Sequence, residues 1–203
     1  DYSTFPLTSG DGTYQVGVYE NVSDDRYTTL LSETFSVTLT DPLKPYLYPN
    51  QYVNFTADSL PVAKAEELAD GASSDLDIIS SVYNYIITHF TYDYSKASSV
   101  TSGYLPDIDE VFTSEKGICF DYAAVMACML RSQGIPTRLE VGYMKEQYHA
   151  WVSTYIPEKG WINGVIRFDG KDWEMMDPTF ASTSHSPKKF VTENDNYTTK
   201  YIY

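Results

Sequence analysis

Three residues of this 203-residue chain have the types and the chain order of a nucleophile, a base and an orienting acid: Cys119, His149 and Asp177. A cysteine attacks as its thiolate. An imidazole takes and returns the proton, and a carboxylate on its second ring nitrogen fixes the tautomer. Together these types do acyl-transfer chemistry. Cys119 lies in the stretch GICFDYAAVMACMLRS, residues 117–132. Gly117 gives the backbone freedom before a first turn. Tyr122, Met126, Met129 and Leu130 then fall near helical spacing, with Ala123, Ala124 and Ala127 between them. Gly134 and Pro136 stop the helix. Cys119 is thereby placed at a helix N-terminus, where unpaired N–H groups and the positive dipole end favour an anion. A lone cysteine at the start of an apolar helix is more often a small buried hydrophobe, so His149 and Asp177 carry the weight.

Tyr148-His149-Ala150-Trp151-Val152 reads as the start of a strand, and Met176-Asp177-Pro178-Thr179 as the end of one. If the two strands pair antiparallel, the start of one meets the end of the other, and Asp177 comes within reach of the His149 ring. Asp169 and Asp172 are rivals, although Asp169 is better explained by the Asp169-Gly170 turn. An oxyanion needs donors. The backbone N–H of Cys119 is one, and Tyr104, in the loop before the helix, is a side-chain candidate whose alternative is packing. Trp151 shares a strand face with His149, where it either shields the ion pair or is a core tryptophan. Trp161 and Ile162 are placed along a substrate cleft. Asp121 supports the helix N-terminus but, as a nearby anion, opposes the thiolate. His89, near a helix end, and His185, in a Ser/Thr-rich loop, are assigned no chemistry.

Four motifs in this order, G-I-C-F-D-Y-A, R-S-Q-G-I-P-T-R, Y-H-A-W-V and M-D-P-T-F, resemble the transglutaminase-like superfamily of papain-like cysteine enzymes in its bacterial branch, over roughly residues 74–180. The resemblance implies a Cys–His–Asp triad at Cys119, His149 and Asp177. It implies protease, amidase or transglutaminase activity through a thioester, without choosing among them. One departure is the long hairpin over residues 157–171, where relatives often have a tighter turn.

Composition narrows the partners. The formal net charge of −14 argues against nucleic acid, which needs a basic surface, and disfavours anionic membranes. No run approaches the ~18 apolar residues of a membrane span. Cys119 and Cys128 lie about 13.5 Å apart at the rise of one helix, beyond the ~7 Å Cα reach of a disulfide. The acidic run at Asp107, Asp109 and Glu110 lacks calcium-loop spacing, so no metal and no cofactor are expected. The expected partner is a protein or peptide substrate, cell-wall peptides included, met outside the cell or at its surface. The start at Asp1 suggests a fragment of a longer protein. The competing expectation is a non-catalytic surface binding or structural module with a vestigial triad.

The elements that must position these residues follow from pattern. Residues 12–20 and 27–40 alternate as strands of a hairpin or meander, a small N-terminal β appendage. Pro42, Pro45 and Pro49 forbid helix in an extended connector. The chain is divided at residues 1–45, appendage and connector, and 46–203, the catalytic domain. Helices are expected over 59–70, 74–90 and 108–112, with a polar loop over 95–103. Strands are expected over 138–143, 149–156, 161–168 and 172–177, and the tail from 181 is irregular or ends in a short strand. The fold class is α+β, with helices packed on an antiparallel sheet.

Overall fold

Alternation of apolar and polar residues in the N-terminal segment produces two strands, β1 (Gly12–Ser23) and β2 (Arg26–Val37), paired antiparallel as a hairpin. At its turn Asp24 takes a φ of 46°, a region that Asp tolerates better than most side chains. Tyr14 faces Phe35 and Val18 faces Leu31 across the ribbon. Almost every residue of both strands is exposed. The root is tied by the Leu39 N–H donating to Asp11 Oδ1 at 2.7 Å and the Thr8 hydroxyl donating to the Ile202 carbonyl at 2.8 Å. The computed structural model describes residues 3–144, 146–157, 159–163, 166–168, 173–175 and 197–203.

The connector holds one 3-10 turn, Lys44–Tyr46, which corrects the expectation of no helix there. Pro45 sits in the first positions of that turn, where a missing N–H costs nothing. Tyr46 is buried, and Tyr52 stacks on Tyr203 with ring centres 3.6 Å apart.

Helix α1 (Leu60–Ala69) carries Pro61 in its first turn, but Ser59 does not cap it with its side chain. The Ser59 hydroxyl accepts the Thr56 N–H, and Leu60 N–H goes to Asp109 Oδ1 of a later helix. In α2 (Asp75–His89), Ser74 does cap, accepting the Asp77 N–H. Ile79, Val82, Tyr83 and Ile86 are the buried stripe of α2. After β3 (Thr91–Tyr92) comes α3 (Tyr94–Ser99), a helix where a loop was expected. It has no buried residue and hence no apolar stripe. Asp93 caps it, and Ser98 and Ser99 hydroxyls donate to the Ser95 carbonyl. Helix α4 (Ile108–Ser114) is capped by Asp107, as its sequence predicts. Strand β4 (Lys116–Gly117) pairs parallel with β3.

Helix α5 (Cys119–Ser132) is buried without interruption from Asp121 to Arg131. A helix apolar nearly all round belongs inside, and α5 is packed among α1, α2, α4 and the sheet. That sheet comprises β5 (Thr137–Met144), β6 (Gln147–Ile156), β7 (Gly160–Asn163) and β10 (Tyr197–Ile202), in the order β10-β5-β6-β7 with antiparallel neighbours. The tail therefore supplies an edge strand. The pairs Leu139–Val152 and Val141–Ala150 join the α5 core. By alternation, the pairs Gly142–His149 and Glu140–Trp151 turn to the other face. Strands β8 (Ile166–Phe168) and β9 (Trp173–Met175) pair with each other. The arrangement is α+β, helices on an antiparallel sheet. Among the described residues no helix is long and apolar enough to cross a membrane.

Arg131 locks the end of α5. It is 2% exposed and donates to the carbonyls of Thr137, Tyr48 and Tyr203 at 2.9, 3.0 and 2.7 Å. Burial lowers the pKa of its guanidinium to about 10. One side chain thus joins the connector, β5 and the chain's last residue.

Candidate active site

Cys119 is the first residue of α5 and is partly exposed; Cys128, on the same helix, is buried, and both are free thiols. Burial pushes the Cys128 thiol up, away from ionisation. The turn before Cys119 is held from both sides. Thr91 N–H donates to the Glu115 carbonyl and Asp93 N–H to the Gly117 carbonyl, each at 2.8 Å. Asp121 reaches back to accept the Ile118 N–H at 2.8 Å, one half of a capping box. Gly117 is needed there, since a Cβ would lie 2.6 Å from the Asp121 Cβ.

Asp121 is fully buried, and Lys96 of α3 forms an ion pair with it at 2.7 Å. The Tyr104 hydroxyl donates to Asp121 Oδ1 at 2.5 Å and accepts from Lys96 at 2.5 Å. Burial, and then the hydrogen bond to Asp121, push the Tyr104 phenol far above its ordinary pKa. The Tyr104 proton is thus engaged by Asp121, while its ring stands in the wall of the cleft.

His149 is the third residue of β6 and only 3% exposed. Trp151 does share its face: the two rings lie 6.3 Å apart and 24° from parallel. Tyr197 of β10 packs edge-on against Trp151 at 4.8 Å and lies 6.5 Å from the His149 ring. His149 and Cys119 line the same cavity of about 510 Å³, with Tyr52, Tyr104, Tyr148 and Tyr203 around them. Among the described residues its lining has no Asp, Glu, Lys or Arg, although the chain carries 28 acidic residues.

Trp161 is not brought to this cavity. It faces Tyr155 across β6 and β7, and six residues of strand separate Tyr155 from His149, about 20 Å at ~3.3 Å per residue. Its ring instead lies 3.7 Å from the Arg138 guanidinium and 5.0 Å from Tyr46, lining a second cavity near Thr8 and Asp41. Asp177 lies outside the described residues, as do Asp169, Asp172 and His185. His89 ends α2 stacked on Tyr85 at 4.2 Å. Sequence reasoning missed Lys96, whose relation to Asp121 across 25 positions leaves no periodic signal.

Residues 62–164, just over half of the chain, match the family model of the Transglutaminase-like superfamily. The chain belongs to that superfamily. The matched residues include Cys119 and His149 and end before Asp177. The chain is similar to the uncharacterized protein YebA of Bacillus subtilis, 28% identical over 160 residues that make up 65% of this chain and 21% of YebA. It is also similar to a protein-glutamine gamma-glutamyltransferase of Pseudomonas aeruginosa, 36% identical over 69 residues, 27% of this chain and 10% of that protein. The chain thus spans about a fifth and a tenth of these relatives' lengths. The periplasmic domain of TgpA from Pseudomonas aeruginosa shares the fold at a TM-score of 0.52 and 22% identity, over 74% of this chain and 52% of that one.

Proposed function

We propose that this transglutaminase-like domain is a cysteine-nucleophile amide hydrolase or acyl transferase, with Cys119 as nucleophile, His149 as base and Asp177 as the acid that orients the ring. The reading rests on one observation: Cys119, the first residue of a helix, and the buried His149 line one cavity whose lining, among the described residues, has no charged side chain. A site shielded from water strengthens the thiolate–imidazolium attraction, and the helix end adds to it.

The Cys119 sulfur attacks the amide carbonyl carbon. Its proton passes to His149, and the negative charge gathers on the carbonyl oxygen. The Cys119 backbone N–H at the helix start is the donor assigned to that oxygen. The C–N bond then breaks as His149 returns the proton to the leaving nitrogen, and a thioester remains. Water attacks in hydrolysis and a second amine in transamidation. Each gives its proton to His149, and the C–S bond breaks. The name of the Pseudomonas relative, a protein-glutamine gamma-glutamyltransferase, supports an amide of a protein side chain as one substrate class. A peptide of the cell wall is another. The TgpA likeness to a periplasmic domain is consistent with work outside the cytoplasm.

Peptides containing glutamine and cell-wall peptides, assayed for release of ammonia or amine, test the reading. Release is expected from the parent chain and not from Cys119→Ala or His149→Ala. Iodoacetamide should alkylate Cys119 more slowly once His149 is Ala. Equal alkylation in both chains would sink the base assignment and favour a non-catalytic binding module.

A further inference from the structure

Asp121 poses an electrostatic problem for a thiolate nucleophile. It lies two residues past Cys119 in the same helical turn and is 0% exposed. A helix start commonly carries a solvated acid. Here the acid is out of water, two residues along the helix from the cysteine that must become an anion. Left alone, it would repel the thiolate through a medium of low dielectric.

We propose that Lys96 is a positioning residue of the active site: it cancels the Asp121 charge, so the carboxylate caps the nucleophile helix without opposing the Cys119 thiolate. This rests on the nucleophile reading above. Lys96 reaches Asp121 Oδ2 at 2.7 Å from α3, outside the helix. The ammonium also lies 4.4 Å from the Tyr104 ring centre. Tyr104 stays neutral and adds no charge of its own. The second nearby lysine, Lys116, pairs with Asp93 at 3.4 Å. Among the described residues Lys96 is therefore the cation at ion-pair distance from Asp121. Residues 100–105, which follow α3, form one wall of the Cys119 cavity. The same pair thereby holds that wall to the helix start.

The test is the rate of Cys119 alkylation by iodoacetamide in the full chain, located by mass spectrometry, with thermal melts on each variant. Lys96→Met is expected to slow alkylation roughly tenfold, the equivalent of a ~1.4 kcal/mol loss. Asp121→Asn keeps an acceptor for the Ile118 N–H, removes the anion, and is expected to speed it. Lys96→Met with Asp121→Asn should return close to the parent, and Lys96→Arg should stay there. Anionic iodoacetate should show a larger loss in Lys96→Met than neutral iodoacetamide does. Opposite signs from the two single variants separate charge from loosened packing, which moves both rates the same way. An unchanged rate in Lys96→Met, or a fall in Asp121→Asn, overturns the proposal. If Lys96→Met does not fold, the direction of the Asp121→Asn change decides. Loss of His149 dependence would instead overturn the nucleophile reading.

Discussion

Gly142 of β5 stands directly across from His149 of β6, and it has room for no side chain: a Cβ there would lie 2.1 Å from the Thr198 carbonyl oxygen. The ladder between β10 and β5 is irregular just there, between Thr199 and Tyr201. The close approach brings Tyr197 over the ring pair of His149 and Trp151. The absence of a side chain on one strand therefore sets the packing of the candidate base on the next.

Gly142→Ala must push β10 away from β5. Overpacking of this kind costs about 1–3 kcal/mol. A urea titration should show that loss. Cys119 alkylation should slow as well, because Tyr197 leaves the His149 ring.

Trp161→Ala separates cleft from scaffold. The ring is half-buried under Arg138, so the expected loss is about 2 kcal/mol, below the ~3–5 kcal/mol of a fully buried tryptophan. Alkylation of Cys119 should keep its parent rate. A slowed rate with an unchanged melting temperature would place Trp161 back in the cleft.

Arg131→Met leaves three carbonyls without their charged donor. The Tyr203 carbonyl keeps the Leu139 N–H at 3.0 Å. Each buried group left unpaired costs about 1–3 kcal/mol, so a loss of about 2 kcal/mol or more is expected. Hydrogen exchange should rise first in Tyr197–Ile202, next to the released Tyr203. Arg131→Lys should recover only part, since an ammonium lacks the planar fork that meets three acceptors.

Alkaline pH should destabilise the fold. Burial raises the Cys128 thiol, and burial with the Asp121 hydrogen bond raises the Tyr104 phenol. Both groups hold protons in the folded state that the unfolded chain releases. Their stabilisation is full below the unfolded values, ~8.5 for a thiol and ~10 for a phenol. It is lost progressively as pH climbs past them. Melting temperatures from pH 7 upward should fall first with the thiol. Cys128→Ala should remove the early part of that fall, and Tyr104→Phe a share of the later part, to which Tyr92 and Tyr203, also raised by burial, contribute.

Much of the scaffold is legible from pattern alone. The apolar stripe of α2, the unbroken apolar run of α5 and the alternation of β6 each state their own period. Asp107 and Ser74 announce helix starts because a cap is a local bond. Helix α3 is silent in the sequence: it buries nothing, and its serines bond back to its own carbonyls. Ser59 misleads for a related reason, since its hydroxyl is taken by Thr56 and the helix N–H by Asp109.

By itself the sequence determined the residue types, the helix that begins at Cys119 and the strand that carries His149, because periodicity and capping act within a few residues. Only the tertiary structure decided that Cys119 and His149 share a cavity, that Trp161 stands about 20 Å along the strand from it, and that Lys96 meets Asp121. Those relations depend on strand register and on side chains crossing between elements, and neither leaves a mark in local spacing.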